Sequence, residues 1–366
     1  MIMFKVVISG YYGFHNSGDE AILHAMLLAL RDAVPGLEVI VLSKDPDYTA
    51  REFGVLSIPR DNPKLVYQAL KTSDLLISGG GGLLQDITGP KSIIYYLGVA
   101  AMARLLGKPV FFYAQGIGPI NTAMGRTLVR LVVNRVNSVT VRDADSKEEL
   151  IDLGVTRPRL EVTADPVLGL EPSLIERGTG RDILASLGID SRPLAGISVR
   201  NWKGANAYKK VIARAADDLV GDGWQALLVP MHCPGDLAAC REVIALMKEK
   251  AFLLEQPTDY MSLLSVTANL DLAIGMRLHF LIFSAIFGVP VVSIPYDPKV
   301  NRFLQSVGLP PGFSAEKLDY EKLSSGIKDV LEHREQISSS LKQQVAPLRV
   351  EALKNASLVA ELLKSF

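Results

Sequence analysis

Short runs of almost uninterrupted apolar residues recur along this chain, each separated from the next by a stretch of helical periodicity. In the first half the runs are Lys5–Ser9, Glu38–Leu42, Asp74–Ser78, Pro109–Ala114 and Ser138–Val141. In the second half they are Leu194–Val199, Gln225–Pro230, Ala251–Leu254, Leu270–Ile274 and Val289–Ile294. The stretches between them are amphipathic, as with Leu23, Met26, Leu27, Leu30 and Val34. A strand that is apolar on both faces, and alternates with helices, belongs to a parallel sheet covered on both sides. With 366 residues the chain exceeds one ordinary core. Pro172, Gly178 and Gly180 mark a linker within residues 166–180. The expected class is therefore α/β, with two Rossmann-like domains facing a cleft. They span residues 1–172 and 173–334, and a C-terminal helix over 335–366 crosses back to the first.

Charge excludes some functions. Thirty-nine basic side chains balance thirty-nine acidic ones, so no global field draws the chain onto nucleic acid. Cys233 and Cys240 stand two helical turns apart, about 10 Å along an axis and beyond disulfide reach. The first residues run straight into a strand without a secretory signal, so a cytoplasmic protein is expected. The most hydropathic stretch, 270–296, contains Asp271, Arg277 and His279 and is interrupted by Gly288-Val289-Pro290. Charges are costly at mid-bilayer, so it reads as buried strand, helix and buried strand.

In open parallel sheets, ligands bind beyond the carboxyl ends of the strands, and the residues there are unusual. The first strand opens into Gly10-Tyr11-Tyr12-Gly13-Phe14-His15-Asn16-Ser17-Gly18-Asp19-Glu20. Gly10 and Gly13 permit a tight turn and close backbone approach. Ser17 and Glu20 have capping-box spacing, whereas Asp19 and Asn16 are candidates for ligand contact. The spacing is not G-x-G-x-x-G and no ribose-binding acid follows the second strand, which counts against a dinucleotide. Further on, Gly79-Gly80-Gly81-Gly82 precedes Gln85 and Asp86. Consecutive glycines are costly to order, so a backbone pressed against a ligand or a neighbouring loop is expected at Gly80 and Gly81. Gln115 lies on the same floor. Arg142, ahead of a second capping box at Ser146 and Glu149, either points into the crevice or pairs with Asp143 or Asp145.

In the second half, Arg200 follows a strand end, with Trp202 behind it. Gly275-Met276-Arg277-Leu278-His279 joins a buried strand to the apolar helix Phe280–Phe287. Cations in a first helical turn oppose the helix dipole. An anion bound at Arg277 and His279 relieves that conflict, since helix N–H groups and a guanidinium fork converge there. The alternative is an arginine–carboxylate pair beside a packed histidine.

Taken in order, G-Y-Y-G-F-H-N-S-G-D-E-A-I-L, G-G-G-G-L-L-Q-D, A-Q-G-I-G-P, G-M-R-L-H and Y-D-P-K-V resemble the polysaccharide pyruvyl transferase family. Within it, the strings resemble the bacterial members that modify secondary cell-wall polymers. The resemblance implies a two-domain fold like that of the glycosyltransferase B type. The implied reaction moves the pyruvyl group of phosphoenolpyruvate onto two hydroxyls of one sugar as a cyclic ketal, releasing phosphate. It also implies a donor site at Arg277 and His279, with an earlier arginine that either Arg200 or Arg142 could supply. The partners implied are phosphoenolpyruvate and a lipid-linked or polymeric saccharide.

That chemistry suits these residue types. Phosphoenolpyruvate is a dense anion, and local arginines must attract it in a chain of zero net charge. A general acid must protonate its methylene carbon and a base must take the acceptor's proton. His279 is the candidate acid, and Asp19 or Asp86 the base or acceptor ligand. The scheme needs neither metal nor cofactor. Weak peripheral membrane contact is expected if the acceptor hangs from a lipid, with Ile93, Ile94, Tyr95, Tyr96 and Leu97 as the first candidates. Burial of that segment against the sheet is the competing reading. Two other functions use such a fold. A sugar-nucleotide-dependent glycosyltransferase commonly presents a glutamate before the G-x-P-V turn, where this chain has the acid-free run Phe283–Pro290. A periplasmic sugar-binding module would normally carry a signal peptide.

Overall fold

The computed structural model describes residues 3–86, 89, 91–202, 206–255 and 259–365. It divides into two compact units, each described by itself. The first comprises 1–15, 19–169 and 348–366, and the second 16–18 and 170–347.

The first unit is built on an eight-stranded sheet among the described residues. Its strands are β1 (Lys5–Ser9), β2 (Glu38–Ser43), β3 (Leu56–Pro59), β4 (Leu75–Ser78), β5 (Gly81–Leu84), β6 (Val110–Ile117), β7 (Ser138–Val141) and β8 (Arg159–Val162). The order is β3-β2-β1-β4-β6-β7-β8, every pair is parallel, and β5 pairs with β6 off this path. Strands β4, β6 and β7 are buried throughout and β1 from Val6 onward, as double coverage requires. Helices α1 (Ser17–Ala33), α2 (Pro46–Phe53), α3 (Pro63–Thr72), α4 (Lys91–Leu105), α5 (Ala123–Val133) and α6 (Ala144–Asp152) alternate with the strands. Local chemistry sets several helix starts. Asp45 and Asn62 cap α2 and α3, each followed by a proline whose missing N–H costs nothing there.

Some strands escaped the sequence, and two of its expectations are corrected. Strands β3 and β8 were not anticipated: they are partly exposed edges without the all-apolar signature. Strand β5, opened by Gly81 and Gly82 of the four-glycine string, was not anticipated either. Neither capping box forms. Glu20 turns away from Ser17 and accepts from the N–H of Gly13 (2.9 Å). Helix α6 starts earlier than expected, with Asp143 accepting from the Ser146 N–H (2.7 Å) while Ser146 Oγ receives the Ile117 N–H (3.0 Å).

The second unit holds a five-stranded parallel sheet, ordered β11-β10-β9-β12-β13 among the described residues. Its strands are β9 (Leu194–Ser198), β10 (Gln225–Leu228), β11 (Phe252–Leu253), β12 (Leu272–Gly275) and β13 (Val291–Ser293). Between and after them run α7 (Arg177–Ser186), α8 (Ala207–Gly221), α9 (Gly235–Leu246), α10 (Tyr260–Thr267), α11 (Leu278–Phe287), α12 (Pro298–Ser306) and α13 (Tyr320–Glu332). The hydropathic stretch is β12, α11 and β13, as the interrupting charges required. Helix α11 is almost wholly buried and ends at Gly288, whose φ of 69° takes the left-handed cap that favours glycine. No helix among the described residues is long and apolar enough to cross a membrane.

Helix α14 (Arg334–Lys364) serves both units, passing from the second to the first at Pro347–Leu348. In the first unit its buried Asn355 accepts from Thr163 Oγ1 (3.0 Å) and Thr140 Oγ1. That polar lock fixes the helix against β7 and the segment after β8.

Candidate active site

Each sheet reverses its strand order once, between β1 and β4 in the first unit and between β9 and β12 in the second. Such switch points open a crevice beyond the strand ends. The unusual sequence strings stand there.

In the first unit, the glycines surround one ring. Tyr12 is fully buried, and a Cβ on Gly10 or Gly79 would collide with it. Gly13, at φ 73°, fits only without a side chain against Ser43 and the backbone after β2. A Cβ on Gly80 would come within 2.9 Å of Ile22, and one on Gly81 within 3.1 Å of Asp19 Oδ1. The glycine backbone is thus pressed against neighbouring side chains. Gln115 holds it from the other side, its amide donating to the carbonyls of Ser78 (3.2 Å) and Gly79. Gln85 is half-buried beside this floor.

The candidate acids differ. Asp86 accepts from the backbone N–H of Asn121 (2.9 Å) and of Thr122 (2.7 Å). Burial works to raise its pKa, but those donors outweigh it and hold the carboxyl below its ordinary range. Asp19 is half-buried against Gly81 in the first turn of α1. Asn16, grouped with the second unit, accepts the Gly18 N–H (3.2 Å). Arg142 is buried in an ion pair with Asp165 (3.2 Å), with Asp143 at 3.7 Å, and its guanidinium covers Gly116.

The second unit brings Arg200, Arg277 and His279 to adjacent strand ends. Ser198, Gly275 and Ser293 align across β9, β12 and β13. Registered residues share a face, and a Cβ on Gly275 would come within 2.9 Å of Phe280 on α11. The hydroxyls of Ser198 and Ser293 are buried on that face with no hydrogen-bond partner among the described residues. Arg277 occupies the cap position of α11 and makes no side-chain cap. It forms instead a two-pronged pair with buried Asp236, its Nε donating at 2.8 Å. This is the arginine–carboxylate alternative, reached with a carboxylate that the sequence did not single out. His279, half-buried, lies against Gly18, where a Cβ would collide with its ring.

Arg200 has no carboxylate partner among the described residues. It donates to the hydroxyl of Tyr296 (2.9 Å), whose ring also faces Trp202 at 4.9 Å. Its Nε is buried without a partner. Burial by itself pushes the Tyr296 phenol up, but Lys299, Arg200 and Arg277 outweigh it and hold it below its ordinary value. Tyr296 and Lys299 stand in the Y-D-P-K-V string, which was visible in the sequence without a role.

Comparisons with known proteins bear on the family and the fold. A family model described as polysaccharide pyruvyl transferase matches residues 16–298. The amylovoran biosynthesis protein AmsJ of Erwinia amylovora is 25% identical over 319 residues, covering 81% of this chain and 74% of AmsJ. HepE from Anabaena, solved in complex with UDP-glucose, superposes with a TM-score of 0.66 at 14% identity, covering 99% of this chain and 100% of that one. S. aureus MnaA, solved with UDP, gives 0.69 at 11% identity, covering 98% and 95%. Likenesses at such identity concern the fold, which is of the glycosyltransferase B type. With the motifs in order and the model matching most of its length, the chain belongs to the polysaccharide pyruvyl transferase family.

Proposed function

We propose that the protein transfers the pyruvyl group of phosphoenolpyruvate to a sugar of a cell-wall or exopolysaccharide precursor, forming a cyclic ketal and releasing phosphate. The observation that carries this reading is Arg200, a half-buried guanidinium without a carboxylate at a switch point. Beside it on the same sheet lie two unpartnered buried hydroxyls and a helix N-terminus without a side-chain cap. Such a set suits a ligand bearing two anionic groups. Arg277, neutralised by Asp236, contributes directed N–H donors more than net charge. Arg142, paired with Asp165, is the weaker choice for the donor arginine.

In the reaction, His279 gives a proton to the methylene carbon of the donor. The cationic C2 is attacked by one acceptor hydroxyl, whose proton passes to Asp19. Phosphate then leaves C2 with the bond electrons, and the second hydroxyl closes the ketal as its proton returns to His279. Asp86 already accepts from two backbone N–H groups, so Asp19 is the preferred base.

The test incubates the full chain with phosphoenolpyruvate and saccharide acceptors, following phosphate release and acceptor mass. A pyruvylated acceptor with stoichiometric phosphate is expected, and Arg200→Gln is expected to weaken donor binding at least tenfold. Release of UDP from a UDP-sugar, with no phosphate from phosphoenolpyruvate, would favour a glycosyltransferase and overturn the reading.

A further inference from the structure

Arg60, which no part of the proposed reaction uses, stands just beyond the carboxyl end of β3 in the first unit. Its backbone is fixed twice: its N–H donates to the Ser43 carbonyl (2.9 Å) and its carbonyl accepts from Tyr95 Oη (3.1 Å). Its guanidinium lies 4.0 Å from the Tyr95 ring centroid, 5.1 Å from Phe14 and 5.2 Å from Tyr96. One terminal nitrogen donates to the Gly10 carbonyl (3.0 Å) and to Tyr96 Oη (3.3 Å). Beside it, Tyr11 and Phe14 stack with centroids 4.0 Å apart and planes within 3°. Both rings are half-buried.

The charge of Arg60 is met by no close ion pair, although the neighbouring Asp61 feels it. Among the described residues no carboxylate pairs with it, and the adjacent Asp61 is held by Lys44 (3.1 Å). Of the arginines at other strand ends, Arg142 and Arg277 each have a carboxylate partner, and Arg200, like Arg60, has none among the described residues. Ring faces attract a guanidinium weakly, which only partly replaces water or a counter-ion. Flat apolar faces around one directed charge are the walls of a small-molecule site, and a pyranose with an acidic substituent presents both surfaces.

We propose that Arg60, with the rings of Tyr11, Phe14 and Tyr95, binds an anionic sugar, and that the acceptor saccharide is held there by a phosphate ester or carboxylate that it carries. This rests on the transferase reading above, with phosphoenolpyruvate held in the second unit.

Calorimetry on the full chain, with glucose 1-phosphate, glucuronate and glucose as probes, tests it. At least one anionic sugar should bind ten times more tightly than glucose, and the advantage should shrink with added salt. Preference for glucose 1-phosphate assigns a phosphate, and preference for glucuronate a carboxylate. Arg60→Gln should erase the advantage while leaving phosphoenolpyruvate affinity unchanged. Should that variant not fold, Arg60→Lys should keep part of the advantage, and Tyr11→Ala should weaken all three sugars alike. Equal binding of the three, no binding, or an advantage that survives removal of the guanidinium overturns the site. Failure of the wild type to bind phosphoenolpyruvate would refute the donor reading, and the sugar measurements would still decide Arg60.

Discussion

The imidazole of His279 rests on the backbone of Gly18, and both belong to the second unit. Gly18→Ala improves helix propensity, so the fold should tolerate it. The added methyl must displace the ring, and turnover should fall at least tenfold with donor affinity kept. His279→Gln should reduce turnover by about 10²–10⁴-fold with donor binding intact. Equal loss of binding and turnover would make the residue an anion ligand only. Arg277 carries a structural cost as well. Arg277→Ala leaves Asp236 charged and buried, and unfolding should show a loss of about 3–5 kcal/mol. Pairing it with Asp236→Leu should recover most of that loss while donor binding stays impaired. Glu20 tests a different point. Burial raises its pKa from 4.5 to about 8 against the opposing Gly13 N–H. Between those values the folded chain holds a proton that the unfolded chain has lost, so stability declines as pH rises across that window. Glu20→Gln retains an acceptor for Gly13. It should therefore stabilise the protein at pH 8 relative to pH 5 by on the order of 2–4 kcal/mol in denaturant titrations; a destabilised variant at pH 8 would show that the carboxylate itself is required.

At the scale of elements, helix α4 shows why an apolar pattern alone does not mark a membrane surface. Its residues Ile93, Tyr96 and Leu97 are buried in the core of the first unit, and Ile94 stays outside it at 46% exposure. The segment that contained the first candidates for lipid contact is chiefly a packing face. Helix α14 depends on a polar rather than an apolar anchor. Asn355→Ala would leave the buried hydroxyl of Thr163 with only the Val141 carbonyl (3.3 Å) and that of Thr140 with only the Phe112 carbonyl (3.2 Å). A loss of about 1–3 kcal/mol in unfolding free energy is expected, the sum of two lost side-chain hydrogen bonds of about 0.5–1.5 kcal/mol each. Asn355→Asp, which keeps an acceptor, should lose less at a pH where its carboxyl is protonated.

For the whole molecule, ligand linkage offers a readout independent of turnover. Phosphoenolpyruvate at a hundred times its dissociation constant should raise the unfolding free energy by about 2.7 kcal/mol, and Arg200→Gln should lose that gain at the same concentration. The sequence by itself determined the two parallel sheets, because strands buried on both faces must be apolar at every position and carry that signature openly. It also placed the glycine strings and the R-L-H triplet at strand ends, since strand, loop and helix follow one another along the chain. Edge strands β3 and β8 escaped it, as partial exposure removes the signature. Only the tertiary structure decided which charges are spent on neighbours. Asp236 reaches Arg277 across 41 positions, Asp165 reaches Arg142, and Gly13 takes Glu20 from its expected cap. Nothing in local spacing announces those pairings. Residues distant in the chain meet only when helices and strands pack, and burial then makes each unpaired charge, Arg60 and Arg200 among them, stand out from its paired neighbours.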